Sequence, residues 1–421
     1  MDKFVVEGGA RLEGRVSVGG SKNAALPIMV ASMLSDGQST LRNVPALKDI
    51  KTLSKLMEIL GSQITYSDGV MTLTTPEFKD FEAPYDLVKT MRASVYVLGP
   101  LLARHKKAKV SLPGGCAWGP RPIDLHLKGF EALGAQVTLD AGYILAEADQ
   151  LVGTDIHLDL PSVGATGNLM MAATGAKGTT RILNAAQEPE MPALADYLIS
   201  MGASIEGGGT SEIVIEGGKP LHGAEHRVIP DRIEAGTFLV GAAMTQGDVT
   251  VTGCDPDHLR ATIAKLQAVG AQVDVGEDWV RVRSTSKPKG LRLTTEYYPG
   301  FPTDLQAQFM AMATVSEGVS VITEEIYRDR FSHVPELNRL GADIKLTENI
   351  AVVEGQPHLS AAHVMATDLR ASAALILAGL VAKGETHISR VYHIDRGYER
   401  IEKKIAELGG VVRREDEPLV T

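Results

Sequence analysis

Six short polar sets recur along the chain, each placed where an otherwise apolar stretch begins. They are Ser21-Lys22-Asn23, Thr90-Met91-Arg92, Ser162-Val163-Gly164, Asp231-Arg232, Thr303-Asp304 and Thr367-Asp368-Leu369-Arg370. A Ser, Thr or Asp at such a boundary caps a helix by accepting a bond from its free N–H groups. Capping does not account for Lys22, Arg92, Arg232 or Arg370, because a cation is unfavourable at the positive end of a helix. Helix N-termini with added Lys and Arg form a strong anion site, suited to phosphate and carboxylate. At any one position both readings stay open; the repetition favours the anion site.

Three further segments carry reactive side chains. Leu112-Pro113-Gly114-Gly115-Cys116-Ala117-Trp118-Gly119-Pro120-Arg121-Pro122 is crowded with Gly and Pro and holds one thiol and one guanidinium, which predicts a mobile lid. A free cysteine is often simply a small buried residue, but this loop has the wrong composition for a core. Cys254, after an ordinary strand, reads as core or bystander. The runs Arg328-Asp329-Arg330-Phe331-Ser332-His333-Val334 and Tyr392-His393-Ile394-Asp395-Arg396-Gly397-Tyr398 add cations at element junctions, with a solvated charge run as the alternative for the first. No His/Cys/Asp cluster has metal-ligand spacing, and neither G-x-x-x-x-G-K-S/T nor G-x-G-x-x-G is present. No metal and no cofactor is therefore expected.

The elements that must position these groups repeat. A helical stretch ending in an apolar residue, then Gly and a small residue, occurs at Gly61, Gly134, Gly202, Gly270, Gly341 and Gly409, spaced 73, 68, 68, 71 and 68 residues apart. Helices commonly end with Gly in the left-handed conformation, and a fixed period marks a repeated structural unit. After each glycine come two short alternating runs, such as Gln136-Val137-Thr138-Leu139 and Tyr143-Ile144-Leu145-Ala146. The helix before it is amphipathic; in the first copy Leu47, Ile50, Leu53, Met57 and Leu60 face Lys48, Asp49, Lys51, Lys55 and Glu58. Upstream, residues 24–34, 93–103, 167–176, 235–245, 305–315 and 371–382 are apolar nearly all round, which predicts helices buried on every side. The unit is βαβαββ, and the fold class is α/β: two inside-out α/β barrel domains of three units each, with a cleft between them. The junction falls between residues 224 and 230.

Composition limits the partners. The chain has 421 residues, with 42 Lys and Arg against 52 Asp and Glu, a net charge of −10. That argues against a general nucleic-acid binder but leaves anionic small molecules open. Two cysteines form no disulfide framework, and the opening residues lack the layout of a signal peptide, so a cytoplasmic setting is expected. No membrane association and no obligate protein partner is expected either.

The sequence resembles the enolpyruvyltransferase (EPSP synthase-like) family from end to end. The resemblance lies in Gly19-Gly20-Ser21-Lys22-Asn23-Ala24, Pro113-Gly114-Gly115-Cys116, Gly119-Pro120-Arg121-Pro122-Ile123-Asp124-Leu125 and Ser162-Val163-Gly164-Ala165-Thr166. It continues in Pro230-Asp231-Arg232-Ile233-Glu234, Arg330-Phe331-Ser332-His333-Val334-Pro335-Glu336-Leu337 and Asp368-Leu369-Arg370-Ala371. It implies domains at 21–229 and at 1–20 plus 230–421, the opening residues supplying the strand that completes the second. It also implies transfer of the enolpyruvyl group of phosphoenolpyruvate to the 3-hydroxyl of UDP-N-acetylglucosamine, with release of phosphate. In that scheme Cys116 is the general acid and Asp304 deprotonates the hydroxyl. Lys22, Arg121 and Arg396 surround the phosphate, and Arg330 and Arg370 face the carboxylate, with the division among these five left open. Asn23, Arg92, Arg121, Pro122, Ile123, Asp124, Leu125, Ser162, Val163, Gly164 and Ile326 match substrate-holding positions, and Asp368 lies near the reacting carbons. A shikimate-type acceptor is the nearest alternative, and the cysteine lid argues against it. Trp118 and Gly167-Asn168 depart from the family pattern and are expected to affect lid packing and affinity.

Overall fold

The computed structural model describes residues 2–89, 91–112 and 123–416. The chain is α/β, and the described residues form six four-stranded sheets of one pattern. In one of them Glu82–Ala83 runs parallel to Lys107–Ser111, which pairs antiparallel with Tyr143–Glu147, itself antiparallel with Gln136–Asp140. The other five sheets repeat this one parallel and two antiparallel pairings. Alternation fixes the register: Val249 opposite Val282 and Val251 opposite Val280 are buried cross-strand pairs. The opening residues supply two strands rather than one. Asp2–Glu7 lies between Glu385–Ser389 and Val411–Asp416, and Glu13–Ser17 runs parallel to Asp248–Thr252.

The chain divides into two compact units, residues 20–112 with 123–229, and residues 2–19 with 230–416. Each has its own apolar core. In the second, the helices Arg232–Met244, Gln306–Ala313 and Leu369–Val381 are buried almost throughout. In the first, Lys22–Ala31 and Val163–Thr174 are buried past their first turns. Among the described residues no helix is long and apolar enough to cross a membrane.

All six recurring glycines take positive φ, from 83° at Gly409 to 117° at Gly61. The second unit of the repeat departs from the expected continuous helix. Residues Arg92–Val97 form a 3-10 segment, Leu98–Pro100 a short α turn and Leu101–His105 a π turn. The cause is Asn168, whose side chain enters the ladder. Its Oδ1 accepts the Gly99 N–H at 2.8 Å and its Nδ2 donates to the Val95 carbonyl at 2.9 Å, so the side chain bridges those two backbone groups. Pro100, with no N–H, removes a further rung.

The repeat glycines separate strain from crowding. A Cβ at Gly134 meets only the Gln150 carbonyl oxygen at 3.9 Å, whereas at Gly61 it meets the Glu77 carbonyl oxygen at 2.5 Å. Gly134→Ala should therefore cost only the left-handed backbone penalty, roughly 1–2 kcal/mol. Gly61→Ala, in the same unit, should cost clearly more. Urea unfolding of the two variants, followed in parallel, checks the order.

Candidate active site

Asp304 is the centre of the best-defined charged cluster. It lies in the 3-10 turn Thr303–Leu305 that opens into the helix Gln306–Ala313. Arg330 Nη1 donates to its Oδ1 at 2.8 Å and Arg370 Nη2 to its Oδ2 at 2.7 Å. The two arginine side chains are 6% and 5% exposed, while the carboxylate keeps 25% of its surface open. Burial pushes the Asp304 carboxyl up, but Arg370 and then Arg330 outweigh it and hold the group well below the usual carboxylate range. Asp304 is thus an ionised carboxylate shared by two guanidinium groups.

Each member is held in turn. Arg330 Nη1 also reaches Thr303 Oγ1 at 3.0 Å, and Gln306 Nε2 donates to the Arg330 carbonyl at 3.3 Å. Thr303 Oγ1 donates to the buried carboxylate of Glu324 at 2.9 Å. Glu324 also accepts the N–H groups of Ile326 and Tyr327, at 3.0 and 2.9 Å, so one carboxylate fixes both the Asp304 turn and the turn that carries Ile326. Arg370 is the second residue of the helix Leu369–Val381, capped by Asp368, whose Oδ1 accepts from Arg370 N and Ala371 N at 2.7 and 3.0 Å. Ser332 Oγ donates to the other Asp368 oxygen at 3.1 Å. Arg396, half-buried, ends the 3-10 segment Val391–Arg396.

The other unit holds the remaining described candidates. Lys22 begins the helix Lys22–Ala31, Ser21 caps it, and Asn23 follows half-buried. Lys22 Nζ lies 3.3 Å from Asp49 Oδ2, and the Asp49 side chain is only 5% exposed. The amphipathic pattern places Asp49 on a polar outer face; it is instead buried in the first turn of its helix, paired with Lys22. Arg92 is half-buried and opens the 3-10 segment. Ser162 caps the helix Val163–Thr174 through Ala165 N, the Val163 carbonyl accepts from Tyr96 Oη at 3.4 Å, and Gly164 faces the buried His126 ring. Ile123 is half-buried, Leu125 buried, and Asp124 exposed beside Lys128. Cys116, Arg121 and Pro122 lie outside the described residues, as does Trp118. Cys254 is buried in the apolar core of its own unit, and burial pushes its thiol up to about 11. Gly167 and Asn168 are buried within the helix Val163–Thr174.

Three of the four cations at helix starts have a carboxylate or aromatic neighbour in space: Asp49 for Lys22, Asp304 for Arg370, and the Tyr298 ring, 5.9 Å away, for Arg232. These partners are 27 and 66 residues apart in the two ion pairs, a separation that local spacing does not show.

The model of the family described as EPSP synthase (3-phosphoshikimate 1-carboxyvinyltransferase) matches residues 6–405. The chain belongs to the EPSP synthase family. Within this family it is 54% identical over 416 residues to UDP-N-acetylglucosamine 1-carboxyvinyltransferase 2 of Carboxydothermus hydrogenoformans, covering 98% of this chain and 99% of that one. It is 55% identical over 414 residues to UDP-N-acetylglucosamine 1-carboxyvinyltransferase of Desulfatibacillum aliphaticivorans, covering 98% and 100%. Its fold matches the enolpyruvyl transferase NikO of Streptomyces tendae with a TM-score of 0.90 at 26% identity, over 99% of each chain. EPSP synthase of Acinetobacter baumannii, at 18% identity, shares the fold with a TM-score of 0.76 over 99% and 100%.

Several groups that hold the clustered charges escaped the sequence reading: Asp49 beside Lys22, Glu324 behind Thr303, and Tyr398, which accepts from Arg370 and Gln308 and lies beside Thr237. Thr237 and Gln308 carried a signal, being polar residues inside otherwise apolar helices.

Two buried histidines give a pH test. Burial lowers His126 and His333 to about 4 from an ordinary 6.5. Between pH 6.5 and 4 the unfolded chain therefore binds the protons that the folded chain refuses. Stability is fully present above pH 6.5 and falls as pH drops toward 4, by up to about 3 kcal/mol for each histidine. Denaturation midpoints at pH 7, 5.5 and 4 should fall in that order, and His333→Gln should flatten the decline of its unit.

Proposed function

We propose that the protein transfers the enolpyruvyl group of phosphoenolpyruvate to the 3-hydroxyl of UDP-N-acetylglucosamine and releases phosphate, a step of peptidoglycan synthesis in the cytoplasm. The observation that carries this reading is the 54–55% identity to relatives of that name over 98% of the chain. The match to EPSP synthase itself is one of fold, at 18% identity. The finer architecture we infer is two inside-out barrels, helices within and three sheets outside, at 21–229 and at 1–20 plus 230–421.

The chemistry assigns each charged group a task. The hydroxyl oxygen bonds to C2 of phosphoenolpyruvate while its proton leaves to a base, and C3 gains a proton from an acid. The resulting tetrahedral species then loses phosphate from C2 and a proton from C3, restoring the double bond. Asp304 is the base and Cys116 the acid. A thiol with an ordinary value near 8.5 holds its proton at neutral pH and still yields a thiolate beside cations. Lys22, Arg121 and Arg396 neutralise the phosphate, and Arg330 and Arg370 receive the carboxylate. Asn23, Arg92, the run 121–125, Ser162, Val163, Gly164, Ile326 and Asp368 hold the two substrates.

The present geometry supports this assignment with one condition. A carboxylate bridging two guanidinium groups is ionised but weakly basic. When the substrate carboxylate shares Arg330 and Arg370, Asp304 loses part of that stabilisation and its proton affinity rises toward the ordinary range. The arginines thus couple arrival of the anion to activation of the base.

Phosphate release should require both phosphoenolpyruvate and UDP-N-acetylglucosamine; release with shikimate 3-phosphate in place of the sugar would overturn the assignment. Asp304→Ala should keep sugar binding and lower kcat by at least ~10², measured against calorimetric sugar affinity. The epoxide fosfomycin, a phosphoenolpyruvate mimic, should add to Cys116 and not to Cys254. Intact-mass and peptide mapping read this directly, and Cys116→Asp should abolish the adduct while keeping turnover.

A further inference from the structure

We propose that Tyr398 is a positioning residue that aims the Arg370 guanidinium through a directed hydrogen-bond chain anchored in the core of its unit. The inference rests on the reading above, in which Arg370 receives the anionic substrate. Tyr398 is among the largest fully buried side chains, 1% exposed. Its hydroxyl lies 2.8 Å from Thr237 Oγ1, 3.3 Å from Gln308 Nε2 and 3.4 Å from Arg370 Nη1. Thr237 Oγ1 in turn donates to the Ile233 carbonyl at 2.8 Å and accepts from Gln308 Nε2 at 3.2 Å.

The donor inventory fixes the direction of every proton. A guanidinium and an amide NH2 only donate, so the Tyr398 oxygen accepts from Arg370 and Gln308. Its own proton then goes to Thr237 Oγ1, whose proton goes to the Ile233 carbonyl. The chain runs from Arg370 through Tyr398 and Thr237 to the first turn of the helix Arg232–Met244. Burial raises the Tyr398 hydroxyl, with Arg370 opposing, so it keeps its proton.

Arg370 is therefore held at both terminal nitrogens, Nη2 on Asp304 and Nη1 on Tyr398, with the Tyr398 ring 5.7 Å from its charged carbon. The Asp304 contact is the one the reaction must loosen. The Tyr398 contact is neutral, buried and outside the exchange, so it keeps the guanidinium in place while Asp304 is released.

Tyr398→Phe keeps the ring and deletes only the hydroxyl. It should raise KM for phosphoenolpyruvate roughly tenfold, the loss of one hydrogen bond to a charged group, with kcat within about threefold and calorimetric affinity for UDP-N-acetylglucosamine unchanged. A residue acting only through Arg370 has no separate effect once Arg370 is altered, so adding Tyr398→Phe to Arg370→Lys should leave KM unchanged. Thr237→Val, which removes the acceptor of the Tyr398 proton, should raise the same KM by a smaller factor and serves if Tyr398→Phe does not fold. An unchanged KM in Tyr398→Phe, or the same tenfold rise in the Arg370→Lys background, overturns this inference while the functional reading stands. Absence of turnover in the unaltered protein overturns both.

Discussion

A carboxylate held between two buried arginines is costly to assemble, and the organisation of its unit follows from that cost. Removing three charges from water is repaid only if each finds partners of good geometry. Asp304 supplies one partner to each arginine, at 2.8 and 2.7 Å. Further bonds reach Thr303 and Tyr398, neutral groups that satisfy hydrogen bonds without cancelling charge. Asp304, Arg330 and Arg370 taken alone carry one positive charge in surplus, with the carboxylates of Glu324 and Asp368 close behind them, and the Asp304 side chain is a quarter open to solvent. In the proposed reaction an incoming anion shares the two arginines, and the same event frees Asp304 to act as the base.

The repeat explains why such a cluster sits on helix ends. Every copy of the unit must begin its buried helix somewhere, and Ser21, Ser162, Asp231 and Asp368 each satisfy the free N–H groups by capping. Folding needs no more than that. The residues beside the caps are then available for chemistry, and they differ from copy to copy: Lys22, Arg232 and Arg370 are cations, while Asp304 is their counterpart. Each added cation opposes its helix dipole, which is why Lys22 and Arg370 have a nearby carboxylate and Arg232 an aromatic ring.

Local pattern carries the repeat, and tertiary geometry carries the site. The six glycines, the helices apolar all round and the alternating strand pairs depend on residues within a few positions of one another, so period and composition reveal them. Asn168 entering the ladder between Val95 and Gly99 depends on a residue about 70 positions away, and a window over 93–103 reads only as helix. Asp49 misled for a related reason: helical periodicity put it on the outer face, but its neighbour across space is Lys22. The candidate cations were legible because they violate a local rule. Of their fixing partners, Glu324 and Tyr398 violate none strongly enough to stand out, whereas Thr237 does, as a polar residue inside an apolar helix. Cys116 and Arg121 rest on resemblance and composition alone, since both lie outside the described residues.

The anchors also explain how a net charge of −10 is compatible with the anionic ligand proposed above. Exposed pairs such as Arg260 with Asp257 are screened by salt and act over short range. Arg330 and Arg370 are nearly closed to solvent, so their charge is screened far less and is directed by hydrogen bonds rather than by the average field. Local burial, not overall composition, sets the sign of the potential that a small ligand meets. On the proposed reading a surface made more acidic would slow approach of the anion but leave the grip of the buried pair intact, so association and dissociation rates can vary independently in this fold.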